Sequence, residues 1–414
     1  MVKNWVPKRF VERIEKLMGK DLQDLDLKWV HESLPVAELE LLKSLAAVDS
    51  QTLKKPGVRA AQEIVAFELE SLGFENRWIP SSDDRFSDLL VAERPGRTDK
   101  FITLVTHTDT VLDFEHPFAL DLEGARATGS GVIDNKGGVV VGLSALARLL
   151  RNYPETEYSL RFLCSPNEEM GSIGFTDYFR ELGPSSVFAF GLEPALDNGS
   201  IVHQRRGNRW YTITWEGREA HAGRSYGQHG NVAHDLAQKI YYLSQLTHYK
   251  KHMSVNVGHI SAGKDRHNII CGRAQVKLDV RFSTIEQRDY MHRKIEKILA
   301  YERDPTLCGE EKIICHYDIV DDCPPFSLTR RSKALARKYA ALTSQLENRK
   351  VFSQPAGGAG DVNYLSTPTN FVLDGLGPVG GGMHTTGEFL DVQTLTTRSQ
   401  ALATFLKWCQ GVKY

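Results

Sequence analysis

Seven acidic and histidine residues sit in short stretches that can do metal chemistry: His107 and Asp109 in T-H-T-D-T, Asp134 in G-S-G-V-I-D-N-K-G-G, Glu168 and Glu169 in S-P-N-E-E-M-G-S, Glu193 in G-L-E-P, and His384 in G-G-G-M-H-T-T-G-E. Imidazole and carboxylate are the donors that hold zinc when no thiolate set is available. His107 and Asp109 are two apart at the end of an apolar run, so on a strand both leave the same face. That suits a metal-bound imidazole passing its other N–H to a carboxylate. Adjacent carboxylates such as Glu168 and Glu169 repel unless cations or solvent offset them. Each stretch also has an ordinary reading: a surface turn, an acidic helix cap at Asp134, a solvated pair. Jointly they point to one edge of one sheet, because all follow a predicted strand except Asp134, which sits in a glycine-punctuated loop just before a predicted helix.

The elements that would position them alternate. Helical spacing runs from about Lys8 to Ala46 and again over Val58 to Leu72, where Gly73 offers a left-handed stop. Strands are expected at Trp78–Pro80, Leu89–Ala92, the run ending at His107, Tyr158–Cys164 and Val187–Leu192, with a helix over Gly137–Tyr153. Continuous apolar strands among helices indicate an α/β sheet covered on both faces, and functional groups in such sheets collect at strand carboxyl ends. The pattern changes near Arg206. Strands at Trp210–Glu216, Ser254–Ile260, Ala274–Phe282 and Lys312–Val320, with helices over Asn231–Thr247 and Ile285–Tyr301, give β-α-β-β-α-β, the split βαβ order of a small inserted domain. After Pro324 and Pro325 the chain returns to a helix at Arg330–Leu342, a glycine-rich turn, a strand at Asn370–Leu373 and a last helix from Val392.

Composition narrows the classes. The 414 residues exceed one ordinary core, and 41% hydrophobic with 25% charged residues describes a globular protein. Fifty-one Lys and Arg against 52 Asp and Glu leave no excess charge for nucleic acid or an anionic membrane. The longest apolar stretch, Gly137 to Leu150, is broken by Arg148, and no apolar segment follows the basic start, so a cytoplasmic location is expected. Six cysteines without a C-x-x-C pair (Cys164, Cys271, Cys308, Cys315, Cys323, Cys409) indicate reduced thiols, leaving any metal to His, Asp and Glu.

With these motifs in this order, the chain from about Leu41 to its end resembles the dinuclear zinc exopeptidase and deacylase family that includes glutamate carboxypeptidase, aminoacylase, acetylornithine deacetylase and succinyl-diaminopimelate desuccinylase. The resemblance implies an α/β fold with a mixed central sheet and helices on both faces, plus an inserted α+β, ferredoxin-like lid or dimerisation domain. Residues 1–206 and 322–414 would form the catalytic domain, with 1–40 a helical extension, and residues 207–321 the lid. It implies two zinc ions per chain, with cobalt or manganese able to use similar ligands. His107 and Glu193 would hold one ion, Glu169 and His384 the other, and Asp134 both; Asp109 would orient His107 and Glu168 would be the general base. It further implies a cis peptide bond after Asp134.

In the lid, the resemblance assigns His221 (G-R-E-A-H-A-G) to the oxyanion in a neighbouring subunit's site, and Asn268 (H-N-I-I) and Arg281 (D-V-R-F) to the substrate's terminal carboxylate. A guanidinium fits that task. Two departures concern the pocket: Cys271 stands where the family often has proline, and Gly360 where it often has threonine. Gly357–Gly360 is no phosphate loop, since no Lys-Ser or Lys-Thr follows, but the N–H groups of Gly358 and Gly360 are candidates for a substrate carboxylate. The expected activity is hydrolysis of an amide bond beside a free carboxylate, carboxypeptidase-type and directed at C-terminal glutamate or a related residue. The alternative is an N-acyl-amino-acid deacylase on the same scaffold; from another class comes a catalytically inactive assembly protein. Partners would be a small peptide or N-acyl amino acid and a second copy of the chain through the lid.

Overall fold

The computed structural model describes residues 28–31, 34, 37–112, 120–225, 227–301, 311–327 and 330–412; the helical spacing expected between Lys8 and residue 27 lies outside them. The chain divides into two compact units, Met1–Gln204 with Leu328–Ala356 and Gly360–Tyr414, and Arg205–Ser327 with Gly357–Ala359.

The first unit begins with α1 (Glu38–Ala46) and α2 (Lys55–Ser71). Helix α2 carries Pro56 in its first turn, where the missing N–H costs nothing, and buries Val58, Ala61, Val65 and Leu69 along one stripe. It ends before Gly73, at φ +81°. Strands β1 (Glu75–Ile79), β2 (Leu89–Arg94) and β3 (Thr98–His107) follow. Two short strands, β4 (Asp121–Glu123) and β5 (Arg126–Thr128), lead to α3 (Lys136–Asn152). Then come β6 (Tyr158–Ser165), α4 (Thr176–Leu182), β7 (Ser186–Gly191) and β8 (Ile201–Arg205).

The second unit is β9 (Gly207–Glu216), α5 (Val232–Ser244), β10 (Ser254–Ala262), β11 (Arg273–Phe282), α6 (Ile285–Leu299) and β12 (Ile314–Cys323). Its strands form one antiparallel sheet in the order β10-β11-β9-β12, the ferredoxin-like arrangement. Strand β11 buries Ala274, Val276, Leu278, Val280 and Phe282 on alternate positions, against Trp215 and Ile213 of β9 and Met291 and Ile295 of α6. Asn231 and Thr284 cap the two helices through side-chain bonds to Ala233 and Gln287 N–H.

The first unit resumes with α7 (Arg330–Leu346), β13 (Ser353–Ala356), β14 (Phe371–Leu373), β15 (Gly380–Gly381), β16 (Phe389–Asp391) and α8 (Val392–Gln410). Its main sheet has the order β1-β2-β6-β3-β7-β14, with β6, β3, β7 and β14 parallel, β2 antiparallel to β6, and β1 antiparallel to β2. Every residue of β6 and β7 is buried, which explains their largely apolar sequence; the buried Arg161 of β6 is paired with Glu93 at 2.6 Å. Helix α3 packs on α8, and Phe188 stacks on Phe371 at 5.3 Å between ring centroids. A second, four-stranded sheet, β15-β16-β5-β4, was not read from the sequence, since strands of two or three residues carry no periodicity.

Candidate active site

Three ends of the main sheet deliver side chains to one place. His107 is the last residue of β3 and fully buried. Its Nδ1 lies 3.2 Å from Asp109 Oδ1 and 3.1 Å from the Asp109 carbonyl oxygen. Its Nε2 lies 3.2 Å from Asp134 Oδ1, 3.7 Å from Glu193 Oε1 and 4.0 Å from Glu168 Oε2. Asp134 Oδ2, in turn, is 3.3 Å from His384 Nε2, which is 3.2 Å from Glu169 Oε2. Asp134 thus stands between two imidazoles, one oxygen toward each.

Local sequence explains each placement. Glu168 and Glu169 form a single 3-10 turn after β6, closed by Gly171 at φ +82°. Their backbone N–H groups donate to Asp109 Oδ1 and Oδ2 at 3.1 and 3.3 Å, and Thr52 Oγ1 donates to Oδ2 at 2.8 Å. The Asp134–Asn135 peptide is cis. At Gly138 a Cβ would collide with the Leu192 carbonyl and the Asn135 side chain, so this glycine lets the start of α3 abut the end of β7. There Asn135 Nδ2 donates to Glu193 Oε1 at 3.0 Å. His384 sits at φ +62° in a turn that Thr385 ties to the Gly382 carbonyl.

The electrostatics call for positive charge. Burial, reinforced by Glu193, pushes the Glu168 carboxyl well above its ordinary range; burial also raises Glu169, against the pull of His384. Burial works against the charge of Asp134 too, yet His107 and His384 hold it below the usual carboxylate range. Burial opposes charge on His107, but Asp109, Asp134, Glu193 and Glu168 outweigh it and raise the imidazole well above normal; Asp134 and Glu169 push His384 up to about 10. Five carboxylates with two imidazoles carry an excess of negative charge that divalent cations would offset. Glu169 Oε1 is buried without a hydrogen-bond partner, and donor atoms of His107, Asp134 and Glu169 all lie within 4.8 Å of one another. The donor set fits a metal centre of nitrogen and oxygen ligands.

The remaining predicted residues are placed as follows. Gly360 is in the first unit; a Cβ there would meet Glu168 Oε1 and a Glu193 carbon at 3.8 Å, ordinary contact distance, while its N–H is given to Asn363 Oδ1 at 3.3 Å. Gly358 belongs to the second unit, where its carbonyl accepts from Arg205 at 3.3 Å. His221 is exposed in that unit, and Ala222 N–H bonds the Asn268 carbonyl at 2.9 Å, which brings those two segments side by side. Arg281 Nε lies 2.9 Å from the Asp279 carboxylate on the same face of β11.

Sequence reasoning did not single out Thr52, Asn135, Asp361 or Glu388. Buried Asp361 accepts from Ser172 Oγ at 2.5 Å, behind the Glu168–Glu169 turn. Glu388 closes the same M-H-T-T-G-E stretch as His384 and accepts three backbone N–H bonds from the Asp134 loop. Burial pushes its carboxyl up to about 7, against those three donors. Its position four residues past His384 was the available signal.

A cluster of this donor set, buried at His107 and open to solvent at His384, agrees with a family match over residues 103–408.

The chain belongs to Peptidase family M20/M25/M40.

It is 25% identical over 369 residues to carboxypeptidase G2 of Pseudomonas sp. (strain RS-16), covering 87% of this chain and 86% of that one. It is also 25% identical over 394 residues to succinyl-diaminopimelate desuccinylase of Gluconobacter oxydans (strain 621H), covering 91% and 98%. Among solved structures, the M20 family metallo-carboxypeptidase Sso-CP2 of Sulfolobus solfataricus shares the fold at a TM-score of 0.72 and 17% identity, over 91% of this chain and 99% of that one. YXEP of Bacillus subtilis, described as a dinuclear metal-binding M20 peptidase, shares it at 0.63 and 17%, over 91% and 98%. This M20 chain is therefore a hydrolase of the metallopeptidase and amidohydrolase type, and the inactive-assembly alternative falls away. Among the described residues no helix is long and apolar enough to cross a membrane.

Proposed function

We propose that this M20 hydrolase cleaves an amide bond beside a free carboxylate, as a carboxypeptidase, with two zinc ions held by His107 and Glu193, by Glu169 and His384, and by Asp134 in common. The observation that carries this reading is Asp134, with one oxygen 3.2 Å from His107 and the other 3.3 Å from His384. Such a metal pair, when bound, supplies Lewis acidity for the scissile carbonyl and lowers the pKa of the attacking water. Glu168, bound to neither imidazole but 4.0 Å from His107, takes the proton of that water as its oxygen joins the carbonyl carbon. It returns the proton to the leaving nitrogen as the C–N bond breaks. Asp109 holds the His107 ring and, through two backbone N–H groups, the turn that bears Glu168.

Asn268, Arg281 and the N–H of Gly358 are assigned to the substrate carboxylate, with Gly360, whose N–H goes to Asn363, only flanking it. His221 is assigned to the oxyanion in a partner subunit, and the second unit to dimerisation. Cobalt or manganese can replace zinc in such a donor set, and a cytoplasmic location is part of the same proposal. A deacylase reading has its own support in the desuccinylase relative, aligned over 98% of its length. Rates on a panel of dipeptides, C-terminal glutamate conjugates and N-acyl amino acids test the assignment. A preference for dipeptides or glutamate conjugates supports the carboxypeptidase, a preference for N-acyl amino acids the deacylase, and no hydrolysis of any by the zinc-loaded protein overturns both.

A further inference from the structure

The Asp134 loop is gripped from behind by a carboxylate outside the donor set. Glu388 Oε1 accepts the N–H groups of Ile133 (2.9 Å) and Asp134 (3.1 Å), and Oε2 accepts that of Gly131 (3.0 Å). The side chain is 5% exposed, so these are dry, directional bonds from three donors to two acceptors. The grip follows from strand register. Phe389 pairs with Thr128 where β16 meets β5, which sets the residue before Phe389 opposite the loop after Thr128. Four residues earlier in the same turn, His384 touches the Asp134 carboxylate. One short segment, Gly382–Glu388, therefore holds Asp134 twice, by its side chain through His384 and by its backbone through Glu388.

We propose that Glu388 is a positioning residue that fixes the Asp134 carboxylate between the two histidines by bonding three N–H groups of the Gly131–Asp134 loop, making metal affinity depend on a residue that touches no ion. The inference rests on the metal reading above. Glutamine at 388 keeps one oxygen for Ile133 and Asp134 but turns an NH₂ toward the Gly131 N–H, donor against donor. Aspartate is too short by one methylene to reach all three. Groups that orient ligands commonly contribute about 10- to 100-fold in metal affinity.

The test compares wild type, Glu388→Gln and Glu388→Asp for zinc retention against a graded chromophoric chelator. Thermal unfolding of each metal-free protein is measured alongside, with hydrogen exchange of the peptide spanning residues 129–135 in metal-free wild type. The expected result is zinc binding weakened about tenfold or more in both variants, metal-free melting temperatures near wild type, and slow exchange at residues 131, 133 and 134. Variant affinity equal to wild type overturns the role, as does weakening no greater than the loss of folded protein. Unprotected exchange of that peptide in wild type overturns it even if neither variant folds. Wild type that binds no zinc removes the metal reading and with it any effect of Glu388 on metal affinity; protected amides in that protein would show that the Glu388 bonds to the loop stand although the metal reading fails.

Discussion

Asp109 Oδ1 accepts the backbone N–H of Glu168 at 3.1 Å, joining residues 59 positions apart. The same oxygen is 3.2 Å from His107 Nδ1, so one atom sets both an imidazole and the turn with the proposed base. Asp109→Asn places an NH₂ among donors and is expected to weaken zinc binding about 10- to 100-fold while lowering kcat. Chelator competition and steady-state rates measure the two effects; wild-type values for both would show that Asp109 positions neither group.

Glu168→Gln keeps the side-chain shape and removes the proton acceptor. Two zinc ions per chain should remain, and kcat should fall by about 10² to 10⁴. Elemental analysis beside turnover measurements separates these outcomes. Undiminished turnover would take Glu168 out of the mechanism.

Gly138→Ala tests the close approach of α3 to β7. The added Cβ meets the Leu192 carbonyl, which cannot rotate away, and the Asn135 side chain. Overpacking of this kind costs about 1–3 kcal/mol, read as a lower urea midpoint. The Asn135 bond to Glu193 should loosen as well, so zinc affinity is expected to drop with stability.

Metal removal should lower the melting temperature, because ions that bind only the folded chain add stability by mass action, about 2.7 kcal/mol at a hundredfold excess over Kd. A scan of melting temperature against free zinc checks it. A temperature independent of zinc would argue that the donors hold no ion in the folded chain.

Much of this architecture is legible in the residues. Strict alternation from Ala274 to Phe282 marks β11, and the mainly apolar runs before Glu168 and Glu193 mark β6 and β7, because strands covered on two faces hold few polar positions. The motifs around His107, Asp134 and Glu169 were equally visible, since their residue types are costly to place together without purpose. Glu388 and Asn135 were not. What they do depends on which backbone groups face them, and that is decided by the β16–β5 pairing and by the approach of α3 to Leu192, contacts between segments up to 257 residues apart. The N–H of Gly360, read as a candidate carboxylate donor, is given to Asn363 within its own turn, a local competition that composition does not reveal.

The ladder between β16 and β5 is only three residues long. Side chains on a strand alternate faces, so sliding β16 by a single step would swing Glu388 away from Gly131, Ile133 and Asp134. Deleting one residue between His384 and Phe389 would then silence the centre with every donor still present, a lesion that a search for missing ligands would overlook.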